Sequence, residues 1–172
     1  MSRPPFDPFT EHDVELVSAQ LGRPARDVIG IAARCVCGAP TVVATQPRLG
    51  NGTPFPTLYY LSHPAATAAV SSLEANGRMA ELTAMLEADD DLQAAYRAAH
   101  EGYLLDRESI LTVDEIEGYS AGGMPTRVKC LHALVGHSLA AGAGVNPIGD
   151  LALAECGWSP EVCACAPDQR GD

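Results

Sequence analysis

The segment KCLHALVGH holds the densest group of residues that could carry chemistry, namely Cys130, His132 and His137. Thiolate sulfur and imidazole nitrogen are preferred zinc ligands, and the same two groups also serve as nucleophile and base. On a helical wheel, Cys130 and His137 share one face, while His132 lies at the edge of the opposite face. Seven residues along a helix span about 10 Å, so this helix cannot chelate an ion alone. The segment therefore forms one wall of a possible metal site.

The other wall must come from cysteines and histidines elsewhere in the chain. Cys35, Cys37 and His63 lie near the ends of predicted strands. Two Cys-x-Cys pairs, at 35/37 and 163/165, lack the Cys-x2-Cys spacing of zinc ribbons, so neither is a strong metal motif by itself. We predict that the cysteines are reduced, because the chain shows no secretion signal.

Two other interpretations of the same residues stay open. Cys130 and the histidines could simply pack in the core, as isolated cysteines and histidines usually do. A cysteine nucleophile with a histidine base is also conceivable, pairing Cys130 with His137 or Cys35 with His63, although no motif supports it.

A second candidate site is the loop SAGGMPTRVK, which leads into the same predicted helix. Gly122 and Gly123 would expose backbone N–H groups at the positive helix end, and Arg127 and Lys129 would add charge. Arg48 joins this site if its own loop, PRLGNG, lies nearby. The segment predicts an anion-binding loop, although it lacks the P-loop pattern and is otherwise only a turn.

A third candidate is the polar stripe of His100, Tyr103 and Arg107, spaced i, i+3 and i+7 on one helix face. Such a stripe is usually a solvated or boundary surface. The alternative is a row of catalytic or binding side chains.

Hydrophobic periodicity and turn residues predict the elements that position these groups. Thr10 and Asp13 resemble a capping box, and Pro64 and Pro125 are favourable first helical residues. The predicted elements are helices over about 10–21, from 64, over 78–88, 90–108, 125–141 and 150–155, with strands over 27–34, 41–45 and 57–61. We predict an α+β fold, mainly helical, whose small N-terminal β-sheet packs on the long buried helix from about residue 125.

The domain organisation follows from the same pattern. Residues 10–155 are predicted to form a single globular domain, preceded by a disordered N-terminus at 1–9 and followed by a poorly ordered C-terminal tail at 156–172. The 172 residues are 47% hydrophobic and 19% charged, which is typical of a folded domain.

Net charge limits the classes of partner. The formal net charge is −11, and Lys129 is the only lysine, so nucleic acid and anionic membranes are disfavoured. No apolar run approaches the roughly 18 residues of a membrane span, and the N-terminus has no signal-peptide pattern. We predict a cytoplasmic protein with an unknown small-molecule or protein partner.

Three long strings carry a resemblance to a known family: RCVCGAPTVVATQPRLGNGTPFPTLYYLSHP, AHEGYLLDR and SAGGMPTRVKCLHALVGHSLAAGAGVNPIGD. Over about residues 14–153 the chain resembles an uncharacterised bacterial family, domain of unknown function 501 (DUF501). The family pattern includes Arg34-Cys35, the PFPT loop and the KCLH-x4-H block, but not Cys37. Some relatives have cysteine at the position of His63, an exchange that preserves metal-ligand capacity.

The residues and the resemblance together favour a metal-binding protein, with zinc as the ion and iron as the other option. The predicted ligands are Cys35, His63, Cys130, His132 and His137. The tail cysteines Cys156, Cys163 and Cys165 lie outside the resemblance and are left out of the site. If the protein is an enzyme, the ion would assist hydrolysis of a small phosphorylated or carboxylated molecule that Arg127 or Lys129 clamps.

Two rival functions remain. The family's members tend to be encoded near a septum-formation initiator and a polyphosphate-directed phosphatase, which implies a non-enzymatic interaction protein linked to cell division or envelope machinery. The other rival is a metal-free enzyme or small-molecule binder that uses the Gly122-Gly123 loop and the His100 stripe.

Overall fold

A computed structural model describes residues 6–171. Its elements are α1 (Glu11–Leu21), β1 (Val28–Arg34), β2 (Pro40–Thr45), β3 (Tyr59–Leu61), α2 (Pro64–Ala75), α3 (Arg78–Ala88), α4 (Asp90–Ile110), α5 (Leu131–Ala141) and α6 (Pro147–Glu155), with short 3-10 turns at Asp114–Ile116 and Pro167–Gln169. The predicted mainly helical α+β fold is confirmed. No helix in the described part of the chain is both long enough and apolar enough to cross a membrane.

The three strands form one antiparallel sheet in the order β1-β2-β3. Val43 of β2 pairs with Ile31 of β1 and with Tyr60 of β3. All six residues of β2 are buried, because this central strand has neighbours on both edges and helices on its faces. The turn between β1 and β2 and the end of β3 are therefore fixed by the sheet.

Helix α5 is the centre of the hydrophobic core, as predicted for a long buried helix. Eight of its eleven residues are buried. A Cβ at Gly136 would lie only 2.8 Å from the Tyr59 carbonyl oxygen, and one at Gly149 of α6 would lie 2.2 Å from the Leu134 carbonyl oxygen. These two glycines allow α5 to lie directly against β3 on one side and against α6 on the other.

The predicted start of this helix near residue 125 is wrong, because α5 begins at Leu131. Gly122 and Gly123 both have positive φ, and their carbonyl oxygens accept the N–H groups of Lys129 and Arg127 at 2.7 and 3.1 Å. The Val128 N–H bonds to the Thr83 hydroxyl at 3.1 Å. The backbone N–H groups of residues 127–129 therefore donate to partners that a continuous helix would not provide, and the segment forms a loop.

The residues predicted to start two other helices are confirmed. Thr10 and Asp13 form the predicted capping box of α1, and Pro64 is the first residue of α2. The last helix starts earlier than predicted, at Pro147, because the Asn146 side chain accepts the Gly149 N–H.

Both ends of the described chain contact the sheet. Asp7 forms an antiparallel bridge with Ile31, within the segment predicted to be disordered; residues 1–5 of that prediction lie outside the described residues. In the C-terminal segment, for which we predicted poor order, Trp158 and Cys165 are buried and the Val36 N–H donates to the Pro160 carbonyl at 2.8 Å. Residues 156–171 therefore run back to the turn between β1 and β2.

Candidate functional site

The turn between β1 and β2 positions two thiols. Cys35 follows the last residue of β1, and its N–H donates to the Ala39 carbonyl at 2.8 Å. Gly38 has φ 86° and donates to the Cys35 carbonyl at 2.8 Å, so the chain reverses within a few residues. Glycine is suited to this left-handed position because it has no Cβ. Cys37 lies at the apex of this turn, close to Cys35.

Two more thiols reach the turn from the C-terminal segment. Cys163 and Cys165 form a small cluster with the turn around buried Ala39. The Sγ atoms of Cys35, Cys37, Cys163 and Cys165 all lie within 4.8 Å of one another, and all four cysteines are free thiols. We call this group the four-cysteine cluster.

Four sulfur atoms at this spacing suit a tetrahedral thiophilic ion. With Zn–S bonds of about 2.3 Å, a tetrahedron has sulfur atoms roughly 3.8 Å apart, so small adjustments would complete it. Cys35 and Cys165 are buried, and the other two thiols are partly exposed. A site with four sulfur ligands is closed and matches the structural class of zinc sites.

The thiols of the cluster differ in acidity. Burial opposes ionisation of Cys37, but the Ala39 N–H and the neighbouring thiols lower its pKa to about 7. Burial raises the pKa of Cys35. Burial also raises the pKa of Cys165, and hydrogen bonds between Cys165 and the other thiols of the cluster raise it further. One thiolate is thus favoured near neutral pH, and an ion would have to displace protons from the others.

His63 contacts the cluster as a hydrogen-bond partner. Its Nε2 lies 3.0 Å from Cys165 Sγ, and its Nδ1 accepts the Ala66 N–H at 3.4 Å as the N-cap of α2. Because Nδ1 is an acceptor, the ring proton of the neutral form is on Nε2 and points to the sulfur. Burial lowers the pKa of His63, which favours this neutral form. The geometry places His63 beside the cluster, with its N–H directed at the Cys165 sulfur.

A second cluster joins the last turn of α2 to the first turn of α5. One ligand atom each from Glu74, Cys130 and His132 lies within 4.8 Å of the others. His132 Nδ1 is 3.2 Å from Glu74 Oε1, which also accepts the Leu131 N–H at 2.7 Å. We call this group the Glu-Cys-His cluster.

The charges in this cluster reinforce one another. The Cys130 thiol and then the Glu74 carboxylate raise the pKa of His132 to about 9, despite partial burial. Burial alone would raise the pKa of Cys130, but His132 and the Ala133 N–H hold it below the ordinary thiol value. In the absence of an ion, the favoured state is therefore an imidazolium ring next to two acidic groups.

His137 belongs to neither cluster. Its ring is 1% exposed, stacks on Tyr59 at 5.7 Å and meets Tyr103 edge-on at 5.0 Å. The Asn146 amide N–H donates to His137 Nδ1 at 3.2 Å, and burial lowers the pKa of His137 to about 4. His137 is a neutral core residue.

The five predicted ligands consequently do not converge on one ion. Cys35 and His63 lie at the four-cysteine cluster, whereas Cys130 and His132 lie at the other. The helical wheel assumed that Cys130 belongs to the same helix as His132 and His137, and this assumption is wrong. Cys130 instead has extended backbone angles, φ −153° and ψ 107°, which turn its thiol toward His132 and Glu74 and not toward His137.

Most of the predicted anion-binding residues line one cavity. This cavity of about 640 Å³ is bordered by Gly122, Gly123, Arg127 and Lys129, together with Glu115. Arg48 forms an ion pair with Glu115 and so stands next to this group. The N-terminus of α5, which was predicted to contribute to the anion site, is not part of this cavity. The helix starts later in the chain, and the Glu74 carboxylate accepts the N–H of its first residue, Leu131.

The predicted polar stripe is largely internal. Tyr103 and Arg107 are 0% and 2% exposed. The Tyr103 hydroxyl accepts the Leu58 N–H at 2.6 Å, and Arg107 donates to the carbonyl groups of Pro56, Ile116 and Tyr119. His100 Nδ1 pairs with the Ser120 hydroxyl at 2.7 Å. These contacts give all three side chains a role in holding loops to α4.

The predicted ligand set does not include four residues of the two clusters: Cys37, Cys163, Cys165 and Glu74. The available signal was the repetition of Cys-x-Cys, once before a glycine in a predicted strand connection and once in the tail. Two such pairs supply four sulfur ligands even though each spacing is unusual. Glu74 had no local signal, because only the packing of α2 against α5 brings it to Cys130.

One family model matches residues 31–154, and its description is a protein of unknown function, DUF501. The matched segment includes the first Cys-x-Cys pair, His63 and the whole Glu-Cys-His cluster, and it ends before Cys163. Neither the curated proteins nor the solved structures contain a match to this chain.

Proposed function

The chain belongs to the DUF501 family of proteins of unknown function, and from this premise and the geometry we propose that it is a zinc protein whose four-cysteine cluster holds one ion. The ion would fasten the C-terminal segment to the turn between β1 and β2. The observation that carries the proposal is the approach of four free thiols, from two distant Cys-x-Cys pairs, to within 4.8 Å of one another.

The surroundings of the cluster support an ion more than simple packing. Neutral thiols can pack as small apolar groups, but a thiolate in such a cluster disfavours ionisation of the next thiol. A divalent ion removes this conflict by stabilising several thiolates at once. The His63 N–H directed at Cys165 is the kind of outer hydrogen bond that stabilises a metal-bound thiolate.

Zinc fits this site better than the harder ions. Thiolate ligands select zinc, copper(I) or iron, and calcium and magnesium need oxygen ligands. Iron in four thiolates would be coloured and redox-active, whereas zinc would be neither. We place the protein in the cytoplasm, where reducing conditions would keep these thiols available.

A closed four-sulfur site leaves no position for substrate, so this ion would be structural. The predicted metal-assisted hydrolysis therefore does not belong at the four-cysteine cluster. The rival hypothesis of a metal-free interaction protein makes the opposite prediction for the same thiols, and metal analysis separates the two.

The test is the zinc content of purified, untagged protein, measured for the wild type and for Cys163→Ser. We expect the variant to hold one zinc ion fewer per chain. Cys156→Ser is the matched control, because Cys156 is a cysteine of the same segment whose thiol contacts the Leu153 and Trp158 carbonyl groups instead of the cluster. It should retain the wild-type content.

Equal zinc content in the wild type and Cys163→Ser would overturn the proposal. A thiol titration of the denatured wild type checks the remaining alternative, since a disulfide within the cluster would leave two of the six cysteines unreactive. Six reactive thiols with bound zinc is the expected result.

A further inference from the structure

The Glu-Cys-His cluster has the arrangement of an open metal site. Its three side chains present one carboxylate, one thiol and one imidazole, from the last turn of α2 and the start of α5. Their ligand atoms lie within 4.8 Å of one another. The separation of 3.2 Å between His132 Nδ1 and Glu74 Oε1 is close to the roughly 3.3 Å between two ligands at about 2.0 Å from a tetrahedral zinc ion.

The outer contacts of His132 leave one ring nitrogen for an ion. Its Nε2 lies 3.2 Å from the Thr67 carbonyl oxygen and 3.1 Å from the Ser71 hydroxyl. A carbonyl oxygen only accepts, so the proton of the neutral ring belongs on Nε2. Nδ1 and the Glu74 carboxylate then face each other as two acceptors, so a cation must lie between them, either the ring proton of the imidazolium or a metal ion that replaces it. Donation of the distal N–H to a backbone carbonyl is the usual support of a metal-bound histidine.

The other two groups are also held in place. The Leu131 N–H fixes the Glu74 carboxylate at 2.7 Å, and Cys130 is the N-cap residue of α5. One carboxylate and one thiolate together neutralise a divalent ion, so the loaded site carries no net charge. This neutrality lowers the cost of placing the ion in a half-buried position.

Three protein ligands leave one tetrahedral position, and a cavity adjoins two of these ligands. The cavity measures about 270 Å³, and Cys130 and His132 form part of its wall. The rest of the wall contributes hydroxyl and apolar groups, including Thr57, Tyr60 and Leu61. A zinc site with three protein ligands and an accessible fourth position is the catalytic class of site.

We propose that Glu74, Cys130 and His132 form a second zinc site, whose fourth position binds water or a small anion from this cavity. This site is independent of the four-cysteine cluster, since the two share no ligand and one of them is open where the other is closed. Water bound to such an ion is acidified, which is the activation that hydrolytic zinc enzymes use.

Zinc counting in single variants tests the second site separately from the first. The expected contents are two ions per chain in the wild type, one in Cys130→Ser, one in Cys163→Ser and none in the double variant. Glu74→Gln is the conservative check, because the amide oxygen can still accept the Leu131 N–H while the charge is lost; it should also hold one ion. If Cys163→Ser loses an ion and both Cys130→Ser and Glu74→Gln lose none, the second site is refuted and the first stands.

Cobalt spectroscopy tests the open position. Cobalt replaces zinc in tetrahedral sites and gives a visible spectrum that depends on its ligands. Added azide should change the spectrum of the cobalt-loaded wild type and of Cys163→Ser, and should have no effect on Cys130→Ser. An identical azide response in the wild type and in Cys130→Ser would assign the effect to another site and refute the proposal.

Alkylation gives a measurement that needs no variant. Iodoacetamide should modify Cys130 in metal-free protein, and saturating zinc should slow this modification at least tenfold, as measured by mass spectrometry of the Cys130 peptide. An unchanged rate would show that zinc does not bind the Cys130 thiol and would overturn its assignment as a ligand.

Discussion

At the scale of single residues, the two clusters illustrate how environment separates chemically similar side chains. His63 and His137 are both buried and both have lowered pKa values, whereas a thiol and a carboxylate raise the pKa of His132. Burial disfavours the imidazolium form, and a nearby acidic group favours it. Of these three histidines, only His132 faces a carboxylate and a thiol, and these two groups are the other ligands of the proposed second site.

The pH dependence of stability should report the burial of His137. Its pKa falls from 6.5 to about 4 in the folded protein, so between these values the unfolded state binds the extra proton. The stabilisation that comes from keeping His137 neutral is fully present above pH 6.5 and is lost as the pH falls toward 4. At pH 5 this loss lowers the free energy of unfolding by about 2 kcal/mol. His137→Phe keeps a ring against Tyr59 and Tyr103 and should lose this part of the pH dependence.

Urea unfolding of the wild type and His137→Phe at pH 7 and pH 5 measures the effect. Other groups titrate in both proteins, so the relevant quantity is the difference between them at each pH. A difference that does not change with pH would contradict the assignment of a neutral, buried His137.

At the scale of elements, contact between α5 and β3 depends on the absence of a side chain. Gly136 faces the Tyr59 backbone, and the neighbouring residues of α5 fill the core on both sides. This close approach carries the first turn of α5 to the last turn of α2. The Glu-Cys-His cluster therefore depends on packing at the middle of the same helix.

A methyl group at Gly136 should separate the two elements. The Cβ of Gly136→Ala would lie 2.8 Å from the Tyr59 carbonyl oxygen, so helix or strand must move. We expect a loss of about 1–3 kcal/mol in the free energy of unfolding, measured by urea denaturation, in spite of the better helix propensity of alanine.

Gly102→Ala is the matched control for this substitution. Gly102 lies within α4, and its Cβ would have no neighbour within 4 Å. This variant should be neutral or more stable by up to about 1 kcal/mol. Equal effects of the two substitutions would mean that propensity, and not the contact with β3, determines the result.

At the scale of the whole molecule, the four-cysteine cluster joins the C-terminal segment to the turn between β1 and β2. Residues 156–171 contribute few large apolar groups, of which Trp158 is buried, so their attachment relies on the cluster and a small number of contacts. The core formed by the sheet, α5 and α6 has its own extensive apolar packing. Removal of the ion should therefore release the tail before it unfolds the core.

Chelation should make the C-terminal segment sensitive to proteolysis. With zinc bound, we expect residues 159–166 to resist subtilisin, and with excess chelator we expect cleavage there while a core ending near residue 155 persists. The thermal midpoint should fall by about 4–8 °C, which corresponds to roughly 2 kcal/mol for a chain of this size. Readdition of zinc should restore both properties, and identical digestion with and without chelator would contradict this role.

Local sequence patterns by themselves determined the class of fold and most of its elements. The spacing of apolar residues, the Thr10 capping box and Pro64 specified helices and strands close to those in the structure, because these signals act between residues a few positions apart. The same patterns identified Cys35, Cys130 and His132 as candidates for metal chemistry. They also placed most of the anion-loop residues on one segment.

Only the tertiary structure decided which of these residues lie together. The carbonyl groups of Gly122 and Gly123 accept the N–H groups of residues 129 and 127, which the predicted helix would have used for its own hydrogen bonds. The helix α5 therefore starts later, and Cys130 turns toward Glu74. The return of the tail to the first strand connection brings Cys163 and Cys165 to Cys35, across most of the length of the chain. Such approaches depend on the packing of distant elements, and no local spacing encodes them.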